Sequence, residues 1–180
     1  MSAIPSKARA VIIGGGVSGC SVAYHLAADP GFRGRVVVVE KDPTYRYAAS
    51  ALSAASIRQQ YSSAVNIRIS LHGIDFLRNI GARLAVDGEA PVIDLHEGGY
   101  LYLAGEEGAP VLAANQALQA AEGADIALYA APMLRSKFPW MNTEDIACGS
   151  FGVSGEGWFD GPALMQAFRR KALESGARFE

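Results

Sequence analysis

Ten residues into the chain, the run Val11-Ile12-Ile13-Gly14-Gly15-Gly16-Val17-Ser18-Gly19 reads as a strand that enters a glycine turn and leaves as a helix. The spacing Gly14-x-Gly16-x-x-Gly19 assigns a job to each glycine. Gly14 permits the tight turn, Gly16 lets a diphosphate approach the backbone, and Gly19 lets the helix pack closely on its strand. The helix N-terminus, with its unpaired N–H groups and positive dipole end, then faces the phosphates. Gly15, Val17 and Ser18 complete this loop. A chain built this way starts as a βαβ unit and binds a dinucleotide.

The flanks agree with that reading. Upstream, Ala10-Val11-Ile12-Ile13 is an apolar run suited to a strand covered on both faces. Downstream, Val17 to Ala28 contains no proline and ends at Asp29-Pro30-Gly31, a strong breaker. Ala23 and Leu26 supply the small and the apolar residue that the extended fingerprint asks for. A second β-branched run, Val36-Val37-Val38-Val39, ends in Glu40-Lys41. Glu40 lies 21 residues past Gly19, close to the roughly 20 expected of a carboxylate that accepts the ribose hydroxyls. A carboxylate at that place repels a 2′-phosphate.

Composition excludes several classes. The net charge is −2 and no Lys/Arg cluster occurs, which argues against nucleic acid as a partner. No apolar run approaches 18 residues, so no membrane span is expected. Fewer than a dozen residues precede the first strand, too few for a signal peptide in this chain. Cys20 and Cys148 are far apart and have no metal-type spacing; they read as free thiols in a reducing, cytoplasmic setting. His25, His72 and His96 share no ligand spacing and read as structural, as do Trp140 and Trp158.

Further along, Ile67, Leu71, Ile74 and Leu77 predict one helix over 63–80, stopped by Gly81. Two short strands, Val92–Leu95 and Tyr100–Ala104, predict a hairpin around Gly98-Gly99. A helix is expected over 109–122, a strand at Ala127–Ala130, loop and turn over 131–146, and a strand at Ala147–Val153. Asp160-Gly161-Pro162 starts a helix with Asp160 as N-cap, and Arg178-Phe179-Glu180 opens another strand. The expected class is α/β: a Rossmann-like βαβ unit followed by the start of an antiparallel-sheet substrate domain. The segments are 1–90 for dinucleotide binding, 91–155 for a partial substrate domain, and 156–180 for the return. The abrupt end in mid-element reads as a truncated chain, expected to hold a dinucleotide poorly by itself.

Three blocks resemble the glycine-oxidase, sarcosine-oxidase and D-amino-acid-oxidase group of FAD-dependent oxidoreductases. They are the fingerprint through Glu40-Lys41, the small-residue loop Ala49–Tyr61, and Gly155-Glu156-Gly157-Trp158-Phe159-Asp160-Gly161-Pro162. Within the group, Ile57-Arg58-Gln59-Gln60-Tyr61 and Gly157-Trp158-Phe159-Asp160 are most similar to the branch of FAD-dependent oxidoreductase domain-containing proteins. The resemblance implies FAD as cofactor, held by the glycine loop, Glu40, Lys41, Ser50, Ser53 and Ala54. It also implies oxidation of a small-molecule amine or (N-methyl) amino acid to an imine. In the dimethylglycine and sarcosine dehydrogenase branch, a histidine of this loop bonds the flavin covalently. The matching position here is Ser53, which argues against attachment at that point. Arg58, the only charge in Ala48–Ala64, is either an anchor for a substrate carboxylate or an exposed arginine at a helix start. The fingerprint alone does not separate FAD from NAD, so an NAD-dependent dehydrogenase stays open, as does a flavin-fold assembly or scaffold protein without turnover.

Overall fold

A computed structural model describes residues 7–180. In chain order the elements are β1 (Ala10–Ile13), α1 (Val17–Ala28), β2 (Val36–Val39), β3 (Ser56–Ile57), α2 (Ala64–Arg78), α3 (Ile80–Leu84) and β4 (Leu101–Ala104). They continue with α4 (Ala109–Ala121), β5 (Ile126–Ala130), α5 (Ala131–Lys137), β6 (Cys148–Gly152), β7 (Gly157–Trp158), α6 (Gly161–Glu174) and β8 (Arg178–Phe179). The chain divides into two compact units.

The first unit holds the residues up to Ala55, Asn79–Asp94 and Phe159–Glu180. Its sheet is parallel, in the order β1-β2-β8. Ala10 sits opposite Val36, Ile13 opposite Val39, and Val38 opposite Phe179. The central strand is a run of valines because both its faces are covered. Val36, Val37 and Val38 are all buried, as expected of a strand flanked by parallel neighbours and helices. Val36 and Val38 pack with Ala23 of α1, Ala172 of α6 and Ala177, and Leu26, Phe32 and Phe179 close the margin. Small residues at 23 and 172 let α1 and α6 approach this layer. Asp160 caps α6 by accepting the Ala163 N–H at 2.8 Å, with Pro162 in the first turn.

β1 departs from expectation. Only Ala10 and Ile12 turn inward, while Val11 and Ile13 are 60% and 91% exposed. The helices cover one face of this strand, and β1 is an edge of the three-stranded sheet.

The second unit holds Ser56–Arg78 and Leu95–Trp158. It is built on an antiparallel sheet in the order β4-β6-β5, with Tyr102 and Leu128 both opposite Ser150. Ile67 of α2, Ala124 and Ile126 form its core, joined by Tyr61, Leu71 and Leu118. A short antiparallel pair, β3 with β7, sets Ser56 opposite Trp158 and Ile57 opposite Gly157. The chain therefore leaves the first unit at Ser56, rather than near residue 90 where the change of strand pattern stood.

Three local expectations are corrected. The helix foreseen over 63–80 breaks at Asn79, and α3 then runs through Gly81. The break coincides with the passage from one unit to the other, so tertiary packing outweighs the local glycine signal. Val92–Leu95 forms no strand, because Asp94 takes a positive φ of 45°. Ile93 instead accepts the Asp160 N–H at 2.7 Å, and His96 exchanges two backbone bonds with Trp158. β4 pairs with β6, not with residues 92–95. Finally, α5 occupies part of the segment expected to be loop. Pro132 pre-sets its first turn, and Leu134 is fully buried on its inner side.

Candidate functional site

The C-terminal end of β1 opens into a glycine cradle. Gly14 takes φ +94°, and its N–H donates to Val39 O at 2.8 Å. A side chain at residue 19 would place its Cβ 1.9 Å from Gly14 O, so only glycine lets α1 start this close to the turn. α1 has no side-chain cap and no acid in its first turn. Its leading N–H groups therefore have no partner within the helix. Just behind, Cys20 is fully buried and its thiol donates to Gly15 O at 2.9 Å. Burial pushes the Cys20 thiol up to about 11.

Glu40 closes one side. Its Oε1 accepts the Asp42 N–H at 2.9 Å and its Oε2 accepts the Gly15 N–H at 2.6 Å. Those two backbone bonds, Asp42 first and Gly15 second, hold the carboxyl below its ordinary value of 4.5. The carboxylate is thus fixed and ionised at neutral pH, with lone pairs left over for further donors. A crevice of about 660 Å³ opens here, lined by Ile13, Gly14, Gly16, Glu40, Lys41 and Tyr45 among others. A neighbouring recess of about 400 Å³ runs along Gly14, Gly16, Val17, Ser18 and Gly19 to Ser50.

Beside Gly16 the backbone is open. The nearest atom to a Cβ built there is Ser50 Oγ, at 3.9 Å. That hydroxyl is buried and, among the described residues, has no hydrogen-bond partner. A buried, unpaired hydroxyl facing bare backbone N–H groups at a helix N-terminus is the donor set that a diphosphate requires. The residues present therefore fit the diphosphate and ribose of an FAD. Ser53 and Ala54 line neither recess. Ser53 Oγ accepts the Ala55 N–H at 3.0 Å and shapes its own turn.

Arg58 belongs to the second unit. It follows β3 directly, six residues before α2 begins, so it does not sit at a helix start. Its Nη1 donates to Tyr102 Oη at 2.5 Å, and its guanidinium carbon lies 4.8 Å from the Tyr61 ring centre. Ser70 Oγ donates to its carbonyl. The guanidinium is exposed and stays charged, its pKa raised first by the bond to Tyr61. A shallow cleft of about 390 Å³ adjoins Tyr61 and Ser70.

Sequence reasoning passed over Glu156. It is fully buried. Its Oε1 accepts the backbone N–H groups of Gln59 (2.5 Å) and Gln60 (3.0 Å), and its Oε2 accepts Gln60 Nε2 (2.8 Å) and the Tyr100 N–H (3.3 Å). It therefore fixes the backbone that carries Arg58. Its signal was an acid between two glycines, in a segment otherwise read as a helix entrance. Two of the three histidines make ring contacts. His96 stacks on Trp158 at 5.4 Å and His25 packs on Tyr24 at 4.7 Å. Among the described residues no His/Cys/Asp/Glu group has metal-site geometry, and no helix is long and apolar enough to cross a membrane.

Comparison with known proteins gives a consistent result. The family model described as FAD dependent oxidoreductase (DAO) matches residues 9–180. The FAD-dependent oxidoreductase domain-containing protein 1 of Xenopus laevis is 48% identical over 175 residues, which cover 96% of this chain and 35% of that protein. The chain thus spans about a third of the length of such relatives. Among solved structures, L-proline dehydrogenase from P. horikoshii superposes with a TM-score of 0.79 at 23% identity, over 98% of this chain and 44% of that one. Glycine oxidase from Bacillus cereus ATCC 14579 gives 0.70 at 26% identity, over 96% and 46%. The open choice between FAD and NAD closes on FAD, and this chain belongs to the DAO family of FAD-dependent oxidoreductases.

Proposed function

We propose that the protein oxidises an amine or an (N-methyl) amino acid to an imine, with the ADP half of FAD seated in the crevice between Gly14–Gly19 and Glu40. The observation that carries this reading is the pairing of the docked Glu40 carboxylate with the bare Gly16 backbone and the unpaired Ser50 hydroxyl. When bound, FAD supplies the two-electron acceptor. The protein's own work is to bind and orient. The α1 N-terminus and Ser50 hold the phosphates, Glu40 accepts the ribose hydroxyls, and Lys41 adds a positive charge at the mouth.

Arg58 is the anchor for a substrate carboxylate in this reading. Tyr102 and Tyr61 hold its guanidinium, and the remaining N–H groups of the fork can pair with two carboxylate oxygens. The proteins it resembles in fold include a glycine oxidase and an L-proline dehydrogenase, named for substrates that carry a carboxylate next to the amine carbon.

The test uses the protein as its source produces it, under anaerobic conditions. Its flavin absorbance is followed while glycine, proline, sarcosine and N,N-dimethylglycine are added in turn. Bleaching by one of them supports the reading. Arg58→Lys should then raise the concentration needed for half-bleaching by roughly tenfold or more, since a point charge replaces a bidentate fork. A protein with no flavin absorbance, or a bound flavin that no amine reduces, would overturn it.

A further inference from the structure

Asp42-Pro43-Thr44-Tyr45 forms a tight turn immediately after Glu40-Lys41. The Asp42 carboxylate accepts both the N–H (3.0 Å) and the hydroxyl (2.6 Å) of Thr44, and the Tyr45 N–H donates back to Asp42 O at 3.0 Å. The turn closes with Tyr45 at φ 56°. Turns of this kind favour glycine at the last position, and a bulky side chain at positive φ is an outlier that the surroundings must hold. Here the strained backbone delivers the phenol to the glycine cradle. A Cβ at Gly15 would lie 3.3 Å from both Cε1 and Oη of Tyr45. The residue is 8% exposed and lines the 660 Å³ crevice. Among the described residues, no group hydrogen-bonds to its hydroxyl.

A buried, unpartnered hydroxyl is a standing cost unless something completes it. Ser50 beside Gly16 is one such hydroxyl, and the phenol of Tyr45, a residue 8% exposed, lines the crevice beside Gly15. The crevice also needs donors on that wall. Lys41 brings a charged donor to the mouth, but Glu40 and Asp42 are acceptors only and their charge opposes a diphosphate. A phenol supplies a neutral donor that pairs with an anionic or hydroxyl oxygen without disturbing the Glu40 carboxylate.

Resting on the reading of this crevice as the ADP site, we infer that Tyr45 is a further cofactor-holding residue whose hydroxyl donates to an oxygen of the ADP half of FAD. The fold places it by a device independent of the glycine fingerprint, the Asp42–Tyr45 turn. Phenylalanine in its place keeps the wall and removes only the donor.

The experiment compares the apoprotein of the natural full chain with its Tyr45→Phe and Glu40→Gln variants. Affinities for FAD, by quenching of flavin fluorescence, and for ADP, by competition, are measured beside the melting temperature of each apoprotein. Tyr45→Phe should weaken FAD and ADP by the same factor, on the order of tenfold, with the melting temperature unchanged. Parental affinity in Tyr45→Phe together with weakened binding in Glu40→Gln would overturn the role of Tyr45 alone. Loss of FAD affinity without loss of ADP affinity would overturn it too, because the hydroxyl would then serve the flavin end. Full affinity in Glu40→Gln would instead overturn the crevice as the ADP site.

Discussion

Cys20 shows how a single side chain ties the glycine turn to the helix. Burial keeps its thiol protonated to about pH 11, whereas an exposed thiol titrates near 9.0. The folded state therefore holds this proton more tightly than the unfolded chain does. The stability that follows is fully present below pH 9 and drains away as pH rises toward 11, by up to about 2–3 kcal/mol. Cys20→Ser keeps a donor for Gly15 O but does not titrate in that range. Chemical denaturation at pH 8 and pH 10.5 should show a steeper loss in the parent than in the variant, and equal losses would remove Cys20 as the source. The glycines, Glu40 and Asp160 were readable from the sequence because each obeys a rule of spacing or position that acts within one βαβ unit or one helix turn. Glu156 and Tyr45 were not, because their roles depend on contacts across the fold: Glu156 reaches Gln59 from 97 positions away.

At the scale of elements, the β3–β7 pair and Glu156 form one assembly. The pair joins two segments that the sequence keeps a hundred residues apart, and the carboxylate then fastens the backbone of Gln59, Gln60 and Tyr100. All its bonds are accepted from N–H donors. Glu156→Gln would turn one oxygen into an NH₂ group, and in either amide orientation two donors would face another donor. The expected loss is about 2–3 kcal/mol, read as a drop in denaturation midpoint with an unchanged slope. A second readout separates the hub from a general loss of packing. Arg58 rides on this backbone, so its stacking on Tyr61 should loosen and the tyrosine fluorescence should shift, whereas Asp160→Ala, which removes only the α6 cap, should leave that signal alone. An unaltered midpoint would mean that water replaces the carboxylate at no cost. The helices α1, α2, α4 and α6 were legible in outline, α2 from its apolar spacing and α1 and α6 from their start and stop signals. The expected 92–104 hairpin failed because alternation of apolar residues cannot say which strand a segment will pair with. β6 offered β4 a longer partner, and Asp94 at positive φ bent residues 92–95 away.

Across the whole chain, the sequence announces the first unit more clearly than the second. A parallel sheet fed by a glycine turn carries its signals in consecutive residues, so β1, α1, β2 and Glu40 follow one another in about thirty positions. The second unit is assembled from Ser56–Arg78 and Leu95–Trp158, and its boundaries are set by which segments share a core, as Ile67 does with Ala124 and Ile126. Nothing in a local window marks such a border, which is why the small-residue loop after Glu40 reads as continuous although the chain changes unit at Ser56. This division yields a test of where the nucleotide binds. ADP lacks the flavin, so its protection against amide exchange should fall on the first unit: Gly15–Gly19, Val36–Asp42 and the turn at Tyr45. At a concentration one hundred times its Kd it should stabilise the bound state by about 2.7 kcal/mol, which slows exchange there by roughly a hundredfold wherever exchange requires opening of the bound form. The amides of Leu101–Ala104 in β4 serve as the internal reference, since they lie in the other unit and their bonds to β6 involve no residue of the crevice. If β4 gains protection while Gly15–Gly19 exchange as before, the nucleotide does not sit on the glycine cradle, and the fingerprint is only a tight turn between a strand and a helix.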